Sequence, residues 1–549
     1  MSDQGTRSNT TQQGPVAPLG PPPVPAGNPI TAAKVYLGKA LFWDEQLSST
    51  RTVACGTCHK PAAGGDDLRA ATTQSTSSNP GPNQLFGDAD DIFASRGIPA
   101  TNLDGTYLSV SSYGLNEQVT GRNSQSFLNA AYSPTLFWDG RADGTFRDPI
   151  TNAVIINNGA ALESQVLGPP LSGVEMAHSG RDWNDVAARI NASRPLALAT
   201  NIPTALETWI SGRNYSDIFN EVFGTPDVTP ARIALAIATY ERTLYTDQAP
   251  VDLANAGITP LTQQEQRGRN VFASPANNCA VCHGGSQTTN NAFFYIGVRP
   301  DTEDISREAV TGFPNDRGTF RVPSLRNVEL RGTFFHNGRF TTLQDVVAFY
   351  NRGGDFDANN KPNLVTPLGL NTQQQADLVA FLRRPLTDPR VAAELPPFDR
   401  PTLYMDSNRV PQITGTGRAG SGGIIPQIQA ISPPIAGNPN FTISVSGALG
   451  RSDAVLVISS SDPGVSRSIP ATGSLARITT TTQNSGAGNG WVSVSFLLGG
   501  GVQTLGQTFY ARWYIQDPGA PAGFSVSQAV KFTVFGENIF ASYDQIQLD

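Results

Sequence analysis

The chain has 549 residues, 39% of them hydrophobic, and carries a formal net charge of −7. Its length suggests about three domains, and its acidic balance argues against a nucleic-acid partner, which would need a basic face. No segment has the run of apolar residues that is needed to span a bilayer.

The first part of the chain alternates between predicted order and predicted loop. Residues 1–28 contain much Pro, Gly, Gln and Ser and no apolar stretch, so we predict a disordered lead. Apolar residues at helical spacing predict a helix over 30–42. Residues 60–125 are predicted to be mostly loop, and a loop of this length is usually functional or wrapped around something large. A polar insertion is predicted over 143–160.

The pattern C-x-x-C-H occurs twice, at 55–59 and at 279–283. It is the attachment signature of haem c, in which the cysteines bond the porphyrin and the histidine ligates the iron. A C-x-x-C pair alone could instead be a redox dithiol or half of a zinc site. Because both pairs are followed by His and together use all 4 cysteines, we predict two covalently attached haem c groups. The residues concerned are Cys55, Cys58 and His59 for the first haem and Cys279, Cys282 and His283 for the second.

Haem c is attached outside the cytoplasm, so we predict an exported protein, periplasmic or at the cell surface. Residues 1–28 nevertheless lack the apolar core of a signal peptide. Two explanations stay open at this point. Either a signal peptide has been removed and Met1 is an engineered start, or the chain is exported by another route.

Helices are predicted around the second motif. Thr229 and Pro230 make a good N-cap and first-turn pair, and Thr262 with Glu265 forms a capping box that opens the helix leading to the motif. Further helices are predicted over 343–350, where Gly353 ends the helix, and over 372–382.

From Pro401 the composition changes. A linker rich in Gly, Pro and Ser is predicted over 401–435. Six short β-rich runs follow, broken by Gly, Asp, Asn and Pro, at 441–445, 454–459, 476–482, 491–498, 508–515 and 529–535. This pattern predicts a small antiparallel β-sandwich. No residue in it carries recognisable chemistry, so we interpret this domain as a packing or docking module.

Residues from about 34 to 390 resemble the bacterial di-haem cytochrome c peroxidase family, which includes the MauG-type enzymes. Besides the two haem motifs, the resemblance rests on an ordered set of shorter ones: Arg122-Asn123-Ser124, Phe-Trp-Asp-Gly-Arg-Ala at 137–142, Gln165 before Glu175-Met176, Val-Pro-Ser-Leu-Arg-Asn-Val at 322–328 and Phe-Phe-His-Asn-Gly at 334–338. It implies two α-helical haem domains with a calcium ion between them. It also implies that peroxide meets the N-terminal haem and that electrons enter through the C-terminal one.

The predicted fold class is therefore mainly α. Two cytochrome-c-like haem domains, an N-terminal one at 29–250 and a C-terminal one at 251–400, are expected to pack together. The linker and an all-β, immunoglobulin-like sandwich at 436–549 follow them.

At the first haem, the resemblance implies that Glu175 is the catalytic acid and base and that Gln165 positions peroxide. Cleaving peroxide requires a proton to move from one oxygen to the other, and a carboxylate can carry it. Taken alone, Glu175 could be an ordinary solvated carboxylate. Family members that need reductive activation keep a distal histidine just before the Arg-Asn-Ser motif. The loop 112–121 has no histidine, so we predict that no ligand has to leave.

At the second haem, the resemblance places Tyr350 where the peroxidases have a methionine ligand, as in the MauG-type enzymes. The alternatives are that Tyr350 is a core tyrosine or that Met405 is the ligand. Trp138 matches the tryptophan between the haems, where an indole can relay electrons, although any buried Trp packs well. Asn123 and the carbonyls of Arg331 and Thr333 match the calcium ligands; oxygen donors suit Ca²⁺. His336 is predicted to lie near the C-terminal haem as a hydrogen-bond partner.

Three functions are compatible with these residues. The first is a peroxidase that reduces hydrogen peroxide with electrons from a small donor protein, a cytochrome c or a cupredoxin. The second is a MauG-like enzyme that uses peroxide-derived high-valent iron to oxidise a partner protein or an organic substrate, which Tyr350 favours. The third is a plain electron-transfer cytochrome, against which the pair Glu175 and Gln165 argues.

Overall fold

The computed structural model describes residues 19–72, 76–466, 468–470, 474–499 and 504–537. Its first half is helical, with connecting segments that carry short strands. The helices are α1 Ala32–Phe42, α2 Cys55–Cys58, α3 Leu68–Thr72, α4 Ala161–Val166, α5 Trp183–Asn191, α6 Thr204–Ile210, α7 Tyr215–Phe223, α8 Pro230–Glu241 and α9 Pro250–Asn255. The second haem motif and its surroundings form α10 Gln263–Ala273, α11 Cys279–Cys282, α12 Glu308–Thr311, α13 Leu343–Asn351, α14 Thr372–Leu382 and α15 Pro389–Ala392.

Short antiparallel pairs of strands fasten the long loops between these helices. They are β1 Ser78–Asn79 with β2 Ile92–Phe93, β3 Arg96–Pro99 with β4 Glu117–Val119, β5 Phe146–Arg147 with β6 Val154–Ile156, and β7 Phe293–Phe294 with β8 Phe320–Arg321. The predicted insertion 143–160 is one of these hairpins. It is not wholly polar, because Phe146 and Ile156 are buried in the core.

Two helix crossings organise the two halves. In α1, Gly38 lies so close to α8 that an added Cβ would be 2.0 Å from the carbonyl oxygen of Ala236. In α10, Gly268 approaches α14 in the same way, with 1.9 Å to the carbonyl oxygen of Asp377. Only glycine allows such contacts between backbones. Each crossing includes the helix that precedes a haem motif. The same helix-helix packing therefore occurs once in each half.

The predicted capping signals are confirmed. The side chain of Thr229 accepts a hydrogen bond from the backbone of Arg232 at the start of α8. Thr262 and Glu265 form the reciprocal capping box of α10. The helices predicted over 30–42, 343–350 and 372–382 are present as α1, α13 and α14.

The predicted disordered lead is wrong for its last residues. Residues 1–18 lie outside the described part of the chain, but Asn28 is fully buried. Its Nδ2 donates to Oε1 of Glu163 at 2.7 Å and to the carbonyl of Leu235 at 2.9 Å. A buried amide with both donors used holds this segment against α4 and α8.

The C-terminal region consists of two antiparallel sheets around an apolar core. The strands are β9 Gln412–Thr414, β10 Gln427–Gln429, β11 Phe441–Ala448, β12 Asp453–Ser459, β13 Ser474–Thr481, β14 Gly490–Phe496, β15 Thr508–Gln516, β16 Phe524–Val526 and β17 Ala529–Thr533. One sheet has the order β10-β11-β14 and the other β13-β12-β15-β17-β9, with β16 beside β15. The predicted runs are thus strands. β9 and β10 arise within 401–435, the stretch predicted to be a linker.

Helix makes up 28% and strand 17% of the chain, so the prediction of a mainly α protein is not confirmed. The immunoglobulin-like character predicted for the sandwich is not confirmed either. Hydrogen bonds join the C-terminal sheets to loops of the N-terminal half. Asn438 accepts a hydrogen bond from Arg51, and Thr442 donates to the carbonyl of Gly105, each at 2.9 Å. Ser493 accepts from the backbone N–H of Tyr107, also at 2.9 Å.

Candidate active site

The two haem motifs adopt the same local structure. Each C-x-x-C forms a single helical turn, α2 or α11, and the histidine is its C-cap. Nδ1 of His59 lies 3.2 Å from the carbonyl of Gly65, and Nδ1 of His283 lies 3.1 Å from the carbonyl of Thr288. A carbonyl can only accept, so Nδ1 carries the proton and Nε2 keeps its lone pair for a metal.

Burial shapes the chemistry of both motifs. It lowers the pKa of His59, and it lowers the pKa of His283 to about 4, so that each ring is neutral, as an iron ligand must be. It also raises the pKa of the Cys55 thiol and brings the pKa of Cys58 to about 12. A redox-active dithiol needs the opposite shift.

The residues around the second motif fit a haem. Cys279, Cys282 and His283 line one cavity that is mainly apolar, and Tyr350 lies on its wall with Trp138 and His336. Burial, and then the two nearby cysteines, raise the pKa of Tyr350. A flat apolar macrocycle with one axial histidine matches this lining. Met405 packs elsewhere, with Leu198 and Tyr404, which removes the alternative methionine ligand.

Glu175 lies beside the first motif, in a loop fixed to β3. The backbone N–H of Ile98 donates to the carbonyl of Val174 at 3.0 Å. Gly97 comes so close that an added Cβ would lie 2.8 Å from Cα of Glu175. Burial raises the pKa of Glu175, and its charge in turn adds to the larger effect of burial on Cys55 and Cys58. The carboxyl therefore lies close enough to both haem-binding thiols for its charge to act on them.

Gln165 lies in the last turn of α4. The turn after it packs on Phe137, since a Cβ on Gly168 would be 3.2 Å from that ring. The guanidinium of Arg141 stacks on the same ring, 3.6 Å from the centre of Phe137. Arg141 is also the cation whose charge acts on Glu175, lowering its pKa against the larger effect of burial. The turn after α4 therefore contacts a ring that also stacks on the cation acting on Glu175.

The distal loop 112–121 contributes β4, which pairs with β3. His178, the histidine nearest to Glu175 in sequence, is buried and turned elsewhere. Its Nδ1 lies 3.0 Å from the carbonyl of Ser179, and its Nε2 lies 3.9 Å from a carboxylate oxygen of Asp185.

Trp138 and His336 meet on the wall of the second motif's cavity. Their ring centres are 6.3 Å apart, and Phe320 contacts both, stacking on His336 at 3.6 Å. Burial lowers the pKa of His336 to about 3, so the imidazole is neutral. His336 was predicted to be a hydrogen-bond partner near the second haem. In the structure it lies on the wall of the second motif's cavity and stacks on Phe320. The indole N–H of Trp138 donates to the carbonyl of Asn123 at 2.7 Å.

The meeting of these rings reflects an internal repeat that sequence reasoning missed. Phe137 and Phe335 share a φ of 65°, and Asn129 and Asn327 share a φ of 61°. Trp138 and His336 each follow one of these phenylalanines and precede a glycine with positive φ by the same interval. The signal was present in the sequence, as Phe-Trp-Asp-Gly-Arg and Phe-His-Asn-Gly-Arg.

The predicted calcium ligands are partly brought together. Oδ1 of Asn123 is buried without a hydrogen-bond partner among the described residues, and its Nδ2 lies 3.5 Å from the carbonyl of Thr333. The guanidinium of Arg331 is also close, paired with the buried carboxylate of Asp66 at 3.3 Å. An unpartnered buried oxygen is a donor that a hard cation can use. In the described part of the chain, no cluster of three or more His, Cys, Asp or Glu could hold a metal ion.

Comparison with known proteins agrees with this geometry. The model of the di-haem cytochrome c peroxidase family matches residues 32–259, and that of cytochrome c matches residues 265–384. Cytochrome-c peroxidase IdrP1 from Denitromonas iodatirespirans is 32% identical over 411 residues, which cover 69% of this chain and 88% of the relative. The chain belongs to the di-haem cytochrome c peroxidase family.

A second relative matches over a similar length, and a solved structure shows the same fold. Methylamine utilization protein MauG from Methylorubrum extorquens is 27% identical over 377 residues, 67% of this chain and 82% of the relative. The crystal structure of a MauG-like protein associated with microbial copper homeostasis has the same fold. It shows a TM-score of 0.50 at 24% identity and covers 71% of this chain and 97% of its own.

Membership of the di-haem peroxidase family confirms several predictions. The chain is a peroxidase-type oxidoreductase with two cytochrome-c-related domains and covalently bound haem c. A bound haem supplies the redox-active iron at which peroxide reacts and electrons are held. Among the described helices, none has the length and apolar character to cross a membrane.

Tyr350→Phe tests whether the tyrosine is a ligand in this di-haem peroxidase. The change removes one oxygen and keeps the ring, so packing against Phe335 and Phe349 is preserved. If the phenol oxygen ligates, the EPR signal of the second haem shifts and that of the first does not. A signal identical to that of the wild type would exclude ligation. Tyr36→Phe, a change in the first half where Tyr36 stacks on Trp209, is the control.

Proposed function

We propose that this di-haem peroxidase reduces hydrogen peroxide at the N-terminal site, with Glu175 as the acid and base. The observation that carries the proposal is the position of Glu175, a carboxyl of raised pKa held beside Cys55 and Cys58 by the contact of its loop with β3. Glu175 takes a proton from one oxygen of peroxide and returns it to the other, which leaves as water. Gln165 orients peroxide and water by hydrogen bonds from its amide.

The C-terminal site passes electrons, and Trp138 lies on the path. Trp138 lines the cavity of the second motif. Its indole N–H donates to the carbonyl of Asn123, which stands in the sequence between the first motif and Trp138. Arg122 next to Asn123 pairs with Asp139 at 2.7 Å and with Asp304 at 2.6 Å. These ion pairs fix the segment of Asn123 against the segments of Trp138 and Asp304.

A calcium ion between the haem domains is part of the proposal. The unpartnered Oδ1 of Asn123 and the carbonyls of Thr333 and Arg331 are its ligands, and the buried carboxylate of Asp66 offsets the nearby Arg331 charge. We further propose that the protein works in the periplasm. Its donor there is a small cytochrome c or a cupredoxin.

A second candidate function is MauG-like oxidation of a partner protein or an organic substrate. The presence of Tyr350 rather than a methionine in the second cavity favours it. A phenolate ligand stabilises the ferric state and lowers the potential, so oxidising equivalents are stored more easily. A rapid, steady turnover of peroxide with a reduced small cytochrome separates the first function from the second.

The histidine-free distal loop leads to a prediction about the resting enzyme. Adding peroxide to the as-isolated, oxidised protein should change its Soret absorbance at once, because no ligand has to leave the first haem. Stopped-flow absorbance measures the change. The prediction fails if only half-reduced protein responds. A sample reduced by one electron before mixing provides the comparison.

A further inference from the structure

Arg321 is a buried cation on the wall of the second motif's cavity, and the chemistry described so far does not use it. It ends β8 and is 5% exposed. Its Nη1 donates to Oγ of Ser133 at 3.0 Å and to Oδ1 of Asn291 at 3.1 Å. Its Nη2 donates to Oε1 of Gln125 at 3.1 Å. These three partners are neutral and line the same cavity, so the guanidinium group lies at the cavity wall with uncharged acceptors.

Two other arginines line this cavity, and each is paired with a carboxylate. Nη2 of Arg326 lies 2.6 Å from Oδ1 of Asp252. Nη2 of Arg331 lies 3.3 Å from Oδ2 of Asp66. Arg321 has no such carboxylate within the described residues, and burial alone lowers its pKa to about 10. Among the described residues that line the cavity, none is Asp or Glu. One positive charge of this wall is therefore left uncompensated by the protein.

A buried guanidinium group is costly unless a negative charge accompanies it. The lowered pKa of Arg321 still leaves the group charged at neutral pH, so loss of a proton does not remove this cost. The compensating charge then has to come from an anion in the cavity. The three hydrogen bonds of Arg321 use three of its five N–H groups, so donors remain for a further acceptor. A carboxylate is the acceptor that the planar guanidinium group matches best.

The second haem brings such a carboxylate into this cavity. Haem c carries two propionate side chains, and the cavity that Arg321 lines is also lined by Cys279, Cys282 and His283. We propose that Arg321 pairs with a propionate carboxylate of the second haem and thereby raises the reduction potential of that haem. An uncompensated carboxylate favours ferric iron, which carries one positive charge more than ferrous iron, and the guanidinium charge cancels this effect.

Arg321 also contacts the segment that contains Trp138. The backbone N–H of Arg321 donates to the carbonyl of Trp138 at 2.8 Å. Its side-chain partners Gln125 and Ser133 lie in the sequence just before Trp138. The ion pair therefore fixes the second haem to the segment that holds Trp138. This inference requires the bound haem c alone and does not depend on the peroxide chemistry proposed above.

The reduction potentials of the haem-loaded, full-length protein test the pair, measured by spectroelectrochemical titration with EPR to assign each step. Arg321→Gln removes the charge and should make reduction of the second haem about tenfold less favourable, a fall of about 59 mV for one electron. The potential of the first haem should not change. Arg321→Lys keeps the charge and should restore most of the potential. Arg317→Gln removes an exposed cation that pairs with Glu308 and should alter neither potential. An unchanged second potential in Arg321→Gln overturns the proposal.

Resonance Raman spectra distinguish a haem propionate from an anion taken up from solution. The bending mode of a haem propionate changes frequency with its hydrogen bonding, so the mode of the second haem should shift in Arg321→Gln and return towards the wild type in Arg321→Lys. The thioether bonds of Cys279 and Cys282 should keep the haem attached in both variants. Identical propionate modes in the wild type and Arg321→Gln overturn the propionate as partner. A wild-type potential that changes when phosphate replaces chloride at constant ionic strength overturns it as well, in favour of a solution anion.

Discussion

Replacing Glu175 by Gln is expected to lower peroxide turnover by about 10²–10⁴-fold, the usual contribution of a general acid and base. Gln has nearly the same shape, so the loop should stay in contact with β3 and both haems should stay attached. The amide cannot take up the proton that has to move between the peroxide oxygens. Steady-state peroxide reduction with a reduced small cytochrome measures the effect.

The pH profile adds a second readout. Glu175 works as a base only when it is ionised, and burial raises its pKa above the ordinary value. The rate should therefore fall as the pH drops through this raised pKa, at a pH above that of an exposed glutamate, and the limb should vanish in Glu175→Gln. Glu207→Gln alters an exposed carboxyl in the same half and should change neither rate nor profile. Unaltered turnover in Glu175→Gln would remove the acid-base role.

Arg242→Met is expected to lower the free energy of unfolding by about 3–5 kcal/mol. Arg242 pairs with Glu163 through two hydrogen bonds of 2.7 Å, and the side chains are 2% and 0% exposed. Methionine fills the space but leaves the Glu163 carboxylate buried with Asn28 as its remaining hydrogen-bond donor. Because Glu163 and Gln165 share α4, turnover should fall together with stability. Urea unfolding followed by circular dichroism measures the loss.

Two further variants separate the cost of an unpaired charge from that of a lost contact. Glu163→Gln combined with Arg242→Met removes the stranded charge and should recover much of the stability. Glu221→Gln breaks a pair with Arg213 that is open to solvent and should cost no more than about 1 kcal/mol. If the single and the double variant unfold alike, the buried charge is not the cause.

Short-range patterns in the sequence predicted much of the fold. The C-x-x-C-H motifs, the caps at Thr229 and Thr262 and the glycine after α13 depend on neighbours within a few residues, and the structure bears out each of the local elements. The strands predicted after Pro401 also depend on local patterns, namely β-rich runs broken by turn-forming residues. The two strands within 401–435 were missed because they are only three residues long and lie among turn-forming residues.

Long-range contacts could not be predicted in this way. Asn28, Glu163 and Arg242 give no local sign that they form one buried network, and Asn28 stands in a segment whose composition favours disorder. The contact of Gly97 with the Glu175 loop could not be predicted either, because the two segments are far apart in the sequence.

The hydrogen bond between Trp138 and Asn123 governs what an oxidised indole can do. Its acceptor is a peptide carbonyl, which is far too weak a base to take the indole proton. An electron leaving Trp138 would therefore leave the ring as a radical cation, and the same proton would still be in place when an electron returns. Charge transfer through Trp138 should then be independent of pH and insensitive to deuterium. A tyrosine at this position would lack that property, because a phenol gives up its proton on oxidation and has to recover it before it can carry the next charge.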